Sequence, residues 1–207
     1  MTSLPTGVVL AGGASRRLGQ DKALYPFRGG TLADWAAERL AEVCGEVVVA
    51  DRGRKLLLEL ESVVDGPGQG PAAGLLGAAL ARPGRDLLVL ACDLPRVPVA
   101  LLRDLAERSS GQAWVPRHGG RLEPLCARFS ASSLVLLDAQ VASGELALHS
   151  WLRSQRLEVG FLEGEELLRH GNPKDLFFNL NRPEDLRRFE TEGAATEPLD
   201  LPRKPTE

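Results

Sequence analysis

The chain has 207 residues, 43% of them apolar and 26% charged, enough for one substantial core and short for two full domains. Its 25 Lys and Arg against 28 Asp and Glu leave a formal net charge of −3, so the basic stripe of a nucleic-acid binder is not expected and any partner should be small. No stretch reaches the roughly 18 apolar residues of a membrane span, and the apolar run Gly7–Ala11 is too short for a signal-peptide core. Cys44, Cys92 and Cys126 lack paired spacing, so a cytoplasmic protein with reduced, buried thiols is expected, without a disulfide framework or a thiolate zinc site.

In chain order, short β-branched runs alternate with longer amphipathic ones, the pattern of an α/β protein with helices on both faces of a mostly parallel sheet. Gly7–Ala11 reads as a strand, Thr31–Val43 as a helix opened by a Thr cap, and Glu46–Ala50 as the next strand. Leu56–Leu60 is expected in a helix and Ser62–Asp65 in a short strand. Pro71–Ala81 is a helix entered through the turn GPGQGP, with Pro71 at a permitted first-turn position. Asp86–Ala91 is almost wholly apolar, as a strand buried on both faces should be, and ends at Cys92 and Asp93. Val99–Arg108 follows as a helix. Beyond it, Ala113–Pro116 and Glu123–Phe129 are expected as strands, Ala131–Val141 and Leu148–Gln155 as helices, and Leu157–Leu162 as a strand. Phe177–Leu180 is expected as a last short strand and Pro183–Glu190 as a helix with Glu184 and Asp185 at its acidic start. The reading is one domain over residues 1–190 and a polar, proline-rich disordered tail over 191–207.

The most informative stretch follows the first strand: LAGGASRRLGQDK, Leu10–Lys22. Gly12 and Gly13 lack a Cβ, so the backbone can turn and aim N–H groups at phosphate oxygens, while Arg16, Arg17 and Lys22 supply cations. A bare glycine turn with solvated basic residues is the alternative. Three clustered cations in an acidic chain favour a bound anion. Neither a Walker loop nor the G-x-G-x-x-G of a dinucleotide fold is present.

At the end of the strand DLLVLACDLP, Asp93 is placed on the carboxyl edge of the sheet, where ligands of open α/β sheets bind. Its carboxylate suits Mg²⁺, which takes one or two carboxylates plus phosphate oxygens and water; capping the next segment is the competing role. Asp65 precedes the turn GPGQGP, where an aspartate commonly serves as a turn former. Asn179 and Asn181, two apart, would share one strand face, although Asn181 equally suits a cap for the helix that starts near Pro183. His118, His149 and His170 are scattered and receive no catalytic role; Trp35, Trp114 and Trp151 read as packing.

LAGGASRRLGQDK resembles the LAGG-x-S-x-R-x-G-x-DK signature of the molybdenum cofactor guanylyltransferase family, matched at Leu10, Ala11, Gly12, Gly13, Ser15, Arg17, Gly19, Asp21 and Lys22. Cys92, Asp93 and Pro95 resemble the family's metal-binding strand end, and the resemblance runs over roughly residues 6 to 190. It implies a Rossmann-like three-layer α/β/α nucleotidyltransferase fold with a mixed, mostly parallel sheet, and transfer of GMP from GTP to molybdenum-bearing molybdopterin. It implies Leu10, Ala11, Gly12, Gly13 and Asp65 on the nucleotide, Arg17 and Lys22 on the triphosphate, and Asp93 on Mg²⁺. Asn179 and Asn181 would stand on the pterin side, with Arg117 or Arg121 on the acceptor phosphate. Other proteins of cofactor biosynthesis and acceptor apoenzymes would be its partners. The sequence departs from the family at Ala50, where an asparagine usually follows the second strand; either Asp51 substitutes or that contact is missing. The alternatives are a sister transferase using CTP or another phosphorylated metabolite, and a nucleotide-binding regulatory protein without chemistry.

Overall fold

A computed structural model of the chain describes residues 4–12, 21–154, 156–181, 184, 185 and 189. Its strands are β1 (Thr6–Leu10), β2 (Pro26–Phe27), β3 (Gly30–Thr31), β4 (Glu46–Ala50), β5 (Glu61–Val63), β6 (Leu87–Ala91), β7 (Ala113–His118), β8 (Arg121–Leu122), β9 (Cys126–Phe129) and β10 (Val159–Leu162). Its helices are α1 (Leu32–Ala41), α2 (Gly70–Ala81), α3 (Val99–Glu107), α4 (Ala131–Ala142), α5 (Leu148–Arg153), α6 (Gly164–Leu168) and α7 (Pro173–Leu176). Eight strands form one sheet in the order β10-β7-β9-β6-β1-β4-β5, with β8 added on β7. β6, β1, β4 and β5 run parallel, β9 is antiparallel to both β6 and β7, and β10 is parallel to β7.

Strand alternation sends successive side chains to opposite faces, and two cores result. Val9, Val49, Leu88 and Leu90 meet α1 and α3 through Leu32, Leu40, Leu101 and Leu105. Val8, Val48, Leu87 and Val89 meet α2, α4 and α5 through Leu75, Leu137 and Trp151. Helices therefore cover both faces, the three-layer arrangement that the alternating pattern predicts. Each wholly buried Leu or Val side chain favours this state by about 1.5–3 kcal/mol. The cap expected at Thr31 is a full capping box: Thr31 Oγ1 accepts from Asp34 N at 3.1 Å, and Thr31 N donates to Asp34 Oδ2 at 2.8 Å.

Two predicted elements are absent. Residues 56–60 are turns, because Asp51 captures the segment: its Oδ2 accepts from Leu56 N at 2.8 Å and its Oδ1 from the Ser62 hydroxyl. Arg52 and Lys55 stand at φ +65° and +57°, outside helical space, so the leucine spacing there does not mark a helical face. Residues 177–180 form no strand; Leu180 N donates to Asp93 O at 3.0 Å, tying an irregular segment to the sheet's carboxyl rim. The expected helix over 183–190 falls mostly outside the described residues. The hairpin β2–β3, the short β8, and the helices α6 and α7 add elements that the pattern did not announce. Arg28 and Gly29 turn that hairpin at φ +48° and +87°, as a two-residue connection requires. Among the described residues no helix is long and apolar enough to cross a membrane.

Candidate nucleotide site

The carboxyl ends of the parallel strands lie level, with Leu10 of β1 opposite Ala50 of β4 and Ala91 of β6. Beyond that edge the chain opens a cleft of about 460 Å³, within the range of small-molecule sites. β6, β1, β4 and β5 are adjacent, so its two ends are three strand spacings apart, about 14 Å.

At the β6 end stand Asp93, Lys22 and Asn181. Asp21 starts a single 3₁₀ turn, Lys22–Leu24, by accepting from Ala23 N at 3.1 Å, and this turn presents Lys22 to the sheet edge. Lys22 Nζ lies 2.8 Å from Asp93 Oδ2 and donates to Asn181 Oδ1 at 2.7 Å. The other carboxylate oxygen, Asp93 Oδ1, is buried without a hydrogen-bond partner. A buried anionic oxygen with no donor is costly, and a cation that reached it would remove that cost.

At the β5 end stand Asp65 and Arg52, and Gly70, Pro71 and Gly74 of α2 line the same cleft. Helix α2 reaches this position by close backbone contact. A Cβ on Gly77 would sit 2.1 Å from Val64 O, and one on Gly66 would sit 2.8 Å from Leu76 Cβ. The two glycines thus let the 64–66 segment lie directly on the helix, where Gly66 N donates to Ala73 O at 2.8 Å, and Asp65 is held over the cleft.

Leu10, Ala11, Gly12, Lys22, Asp65, Asp93 and Asn181 therefore line one cleft, as the motif reading groups them. At Leu10 and Ala11 the contribution is surface: Ala11 N donates to Ala50 O, and Leu10 O accepts from Cys92 N. Asn179 does not share a face with Asn181. Without a strand there is no alternation, and its Nδ2 turns back to Phe177 O at 3.3 Å. Gly13 and Arg17, with Arg16, Ser15 and Gly19, lie outside the described residues. Arg117 is paired with Glu163 and stacked on Phe161, and Arg121 is paired with Glu123, so the charges of both are met within the C-terminal half.

The open question at Ala50 is resolved by burial. Asp51 is 0% exposed with both carboxylate oxygens engaged in its own loop, so it does not substitute in the cleft. The residue two beyond the strand does enter. Arg52 lines the cleft with its Nε 3.3 Å from Asp65 Oδ2.

Arg54 is a second residue that the motif reading passed over. Its Nε donates to Asp51 O and its Nη2 to Ala11 O, each at 2.8 Å, while Nη1 pairs with Asp21. One guanidinium thus holds both ends of the glycine-rich loop and the end of β4. The signal was the second cation cluster, DRGRK, after β4. Cys92 lines the cleft beside Asp93, and burial pushes its thiol up to about 12, so it is no nucleophile.

The MobA-like NTP transferase domain model matches residues 7–159. Among curated proteins, the chain is 35% identical over 193 residues to the molybdenum cofactor guanylyltransferase of Cereibacter sphaeroides, covering 89% of this chain and 95% of that one. Among solved structures it is similar to the molybdopterin-guanine dinucleotide biosynthesis protein A of Archaeoglobus fulgidus, with a TM-score of 0.77 and 28% identity over 92% of this chain and all of that one. The fold is also that of Rv0371C from Mycobacterium tuberculosis, a protein crystallised with manganese, with a TM-score of 0.61 and 23% identity over 91% of this chain and 98% of that one. The chain belongs to the MobA-like NTP transferase family of nucleotidyltransferases.

Proposed function

We propose that this enzyme transfers GMP from GTP to the terminal phosphate of molybdenum-bearing molybdopterin, giving molybdopterin guanine dinucleotide and pyrophosphate. The observation that carries the reading is the division of the cleft, with a carboxylate for a base at the β5 end and an ammonium and carboxylate for phosphates at the β6 end. The name of the Cereibacter sphaeroides relative supports the same nucleotide and acceptor.

The acceptor phosphate attacks the α-phosphorus, a new P–O bond forms, and the bond to the departing pyrophosphate breaks. An ionised phosphate nucleophile needs no general base, which agrees with the absence of a free histidine beside Asp93: His118, His149 and His170 bind Glu123, Leu122 O and Asp104. Catalysis then comes from holding the reactants in line and meeting their charge. Lys22 and Arg17 take phosphate oxygens, and Gly12 and Gly13 offer backbone amides to them. Leu10 and Ala11 floor the ribose and base, Asp65 accepts from guanine N1–H and the 2-amine, and Asn181 faces the pterin side. Asn179 stays a weaker candidate for that side because its amide turns to its own chain.

A divalent cation fits Asp93, whose buried Oδ1 is a hard oxygen donor without a partner. Among the described residues no cluster of three acidic, His or Cys side chains accompanies it, which suits Mg²⁺, an ion that keeps phosphate and water ligands. Bound there, it would neutralise charge on the phosphates.

The test is pyrophosphate release with molybdopterin and each triphosphate in turn. Turnover with GTP and little with CTP is expected; robust turnover with CTP and none with GTP would overturn the assignment.

A further inference from the structure

We infer that Arg52 is a specificity-determining residue, donating to guanine O6 while Asp65 accepts from N1–H and the 2-amine. The inference rests on the reading that the β5 end of the cleft takes the base. Asp65 alone reads only donors, so the acceptor O6 needs a donor from elsewhere. Ala50 offers a methyl group, and Asp51 is wholly buried and saturated by Leu56 and Ser62. Arg52 is the polar side chain that the β4 end sends into the cleft.

Its position is built. The backbone stands at φ +65°, a left-handed conformation that a residue with a Cβ seldom adopts. The side chain crosses the cleft floor: a Cβ on Gly12 would lie 3.6 Å from Arg52 Nε, and the same nitrogen is 3.3 Å from Asp65 Oδ2. Arg52 and Asp65 thus present donor and acceptor side by side at one end of the site. Arg52 is 48% exposed, so its guanidinium can shift to a base edge without leaving a buried charge behind. Guanine presents an acceptor followed by two donors along that edge, which this pair matches. Cytosine presents one donor followed by two acceptors, the reverse pattern, so in the same pose the arginine faces a donor and both carboxylate oxygens face acceptors.

Two analogues separate the contacts. 6-Thio-GTP replaces O6 with a poor acceptor and keeps N1–H and the 2-amine, whereas ITP keeps O6 and lacks the 2-amine. In calorimetry without acceptor, the wild-type enzyme should favour GTP over each analogue by about tenfold. Arg52→Gly, which removes the side chain where glycine is conformationally at ease, should lose the discrimination against 6-thio-GTP and keep that against ITP. Asp65→Asn should do the reverse. Retained discrimination against 6-thio-GTP in Arg52→Gly would overturn the O6 contact. Loss of both ratios together would also overturn it, reducing Arg52 to a holder of Asp65. Wild-type enzyme indifferent to both analogues would instead remove the base from this end of the cleft, and the inference with it.

Discussion

At the β6 end of the cleft an ammonium, a carboxylate and an amide come from three distant parts of the chain, with Lys22 reaching across 71 residues to Asp93 and 159 to Asn181. At the β5 end an arginine and an aspartate come from one strand–loop–strand unit, as Arg52 and Asp65 flank β5. The phosphate end is thus assembled only when the whole sheet is in register, while the base end is set by one loop and the helix beneath it. Chemistry should be lost outright by changes at the first end, and selectivity should be tunable at the second with the fold intact.

The most severe test of that division is Asp93→Ala, expected to lower transfer by about 100-fold or more while the melting temperature stays close to wild type. The change removes a rim carboxylate with an unpartnered buried oxygen and leaves the core volume untouched. Unchanged pyrophosphate release would remove Asp93 from the site. Lys22→Ala should weaken GTP binding by about 1.5–3 kcal/mol in calorimetry, the value of a hydrogen bond to a charged group; equal affinity would sink the contact.

Gly77→Ala carries the comparison to the base end. Its methyl group would meet Val64 O at 2.1 Å, so α2 and the 64–66 segment must separate, at about 1–3 kcal/mol of stability in denaturant unfolding. Selectivity for GTP over ITP should fall with it, because Asp65 rides on that segment, and a variant of wild-type stability and selectivity would contradict the close packing. Arg54→Ala, which frees both ends of the glycine-rich loop, should cost about 1 kcal/mol of GTP affinity, roughly fivefold. Isothermal titration reads it directly, and an effect on transfer rate alone would speak against a binding clamp.

The smallest effect concerns the thiols. Burial raises Cys44 and Cys92 to about 12 and Cys126 further, so at pH 8 all three stay protonated and alkylation by iodoacetamide should leave native transfer unchanged. Mass spectrometry that found Cys92 modified in the folded enzyme would place it nearer solvent.

Legibility in the sequence followed the range of the forces involved. β4 and β6 announced themselves through runs of buried β-branched and aliphatic residues, and α1 through its Thr31 cap, all local signals. Lys22 and Asp93 were legible as motif residues near strand ends, and both line the cleft. The turns at 56–60 were misread because a single buried carboxylate, Asp51, overrides the leucine spacing, and no pattern of neighbours marks a residue as wholly buried. The segment 177–180 was misread for a related reason: its apolar residues pack into the core without joining a ladder, held by a backbone bond to Asp93. Arg52 and Arg54 escaped notice because a cation after a strand looks solvated until the fold brings Asp65, Asp21 and Ala11 to it. Gly77 looks like any small helical residue until Val64 lies on top of it.

The central claim is the orientation of the nucleotide along the strand ends, and a crystal of the enzyme with GTP and Mg²⁺ tests it most directly. The account predicts the guanine edge within hydrogen-bonding distance of Asp65 and Arg52, and the triphosphate beside Lys22 with the ion on Asp93. A triphosphate at the Asp65 end, or a nucleotide bound elsewhere on the molecule, would contradict it.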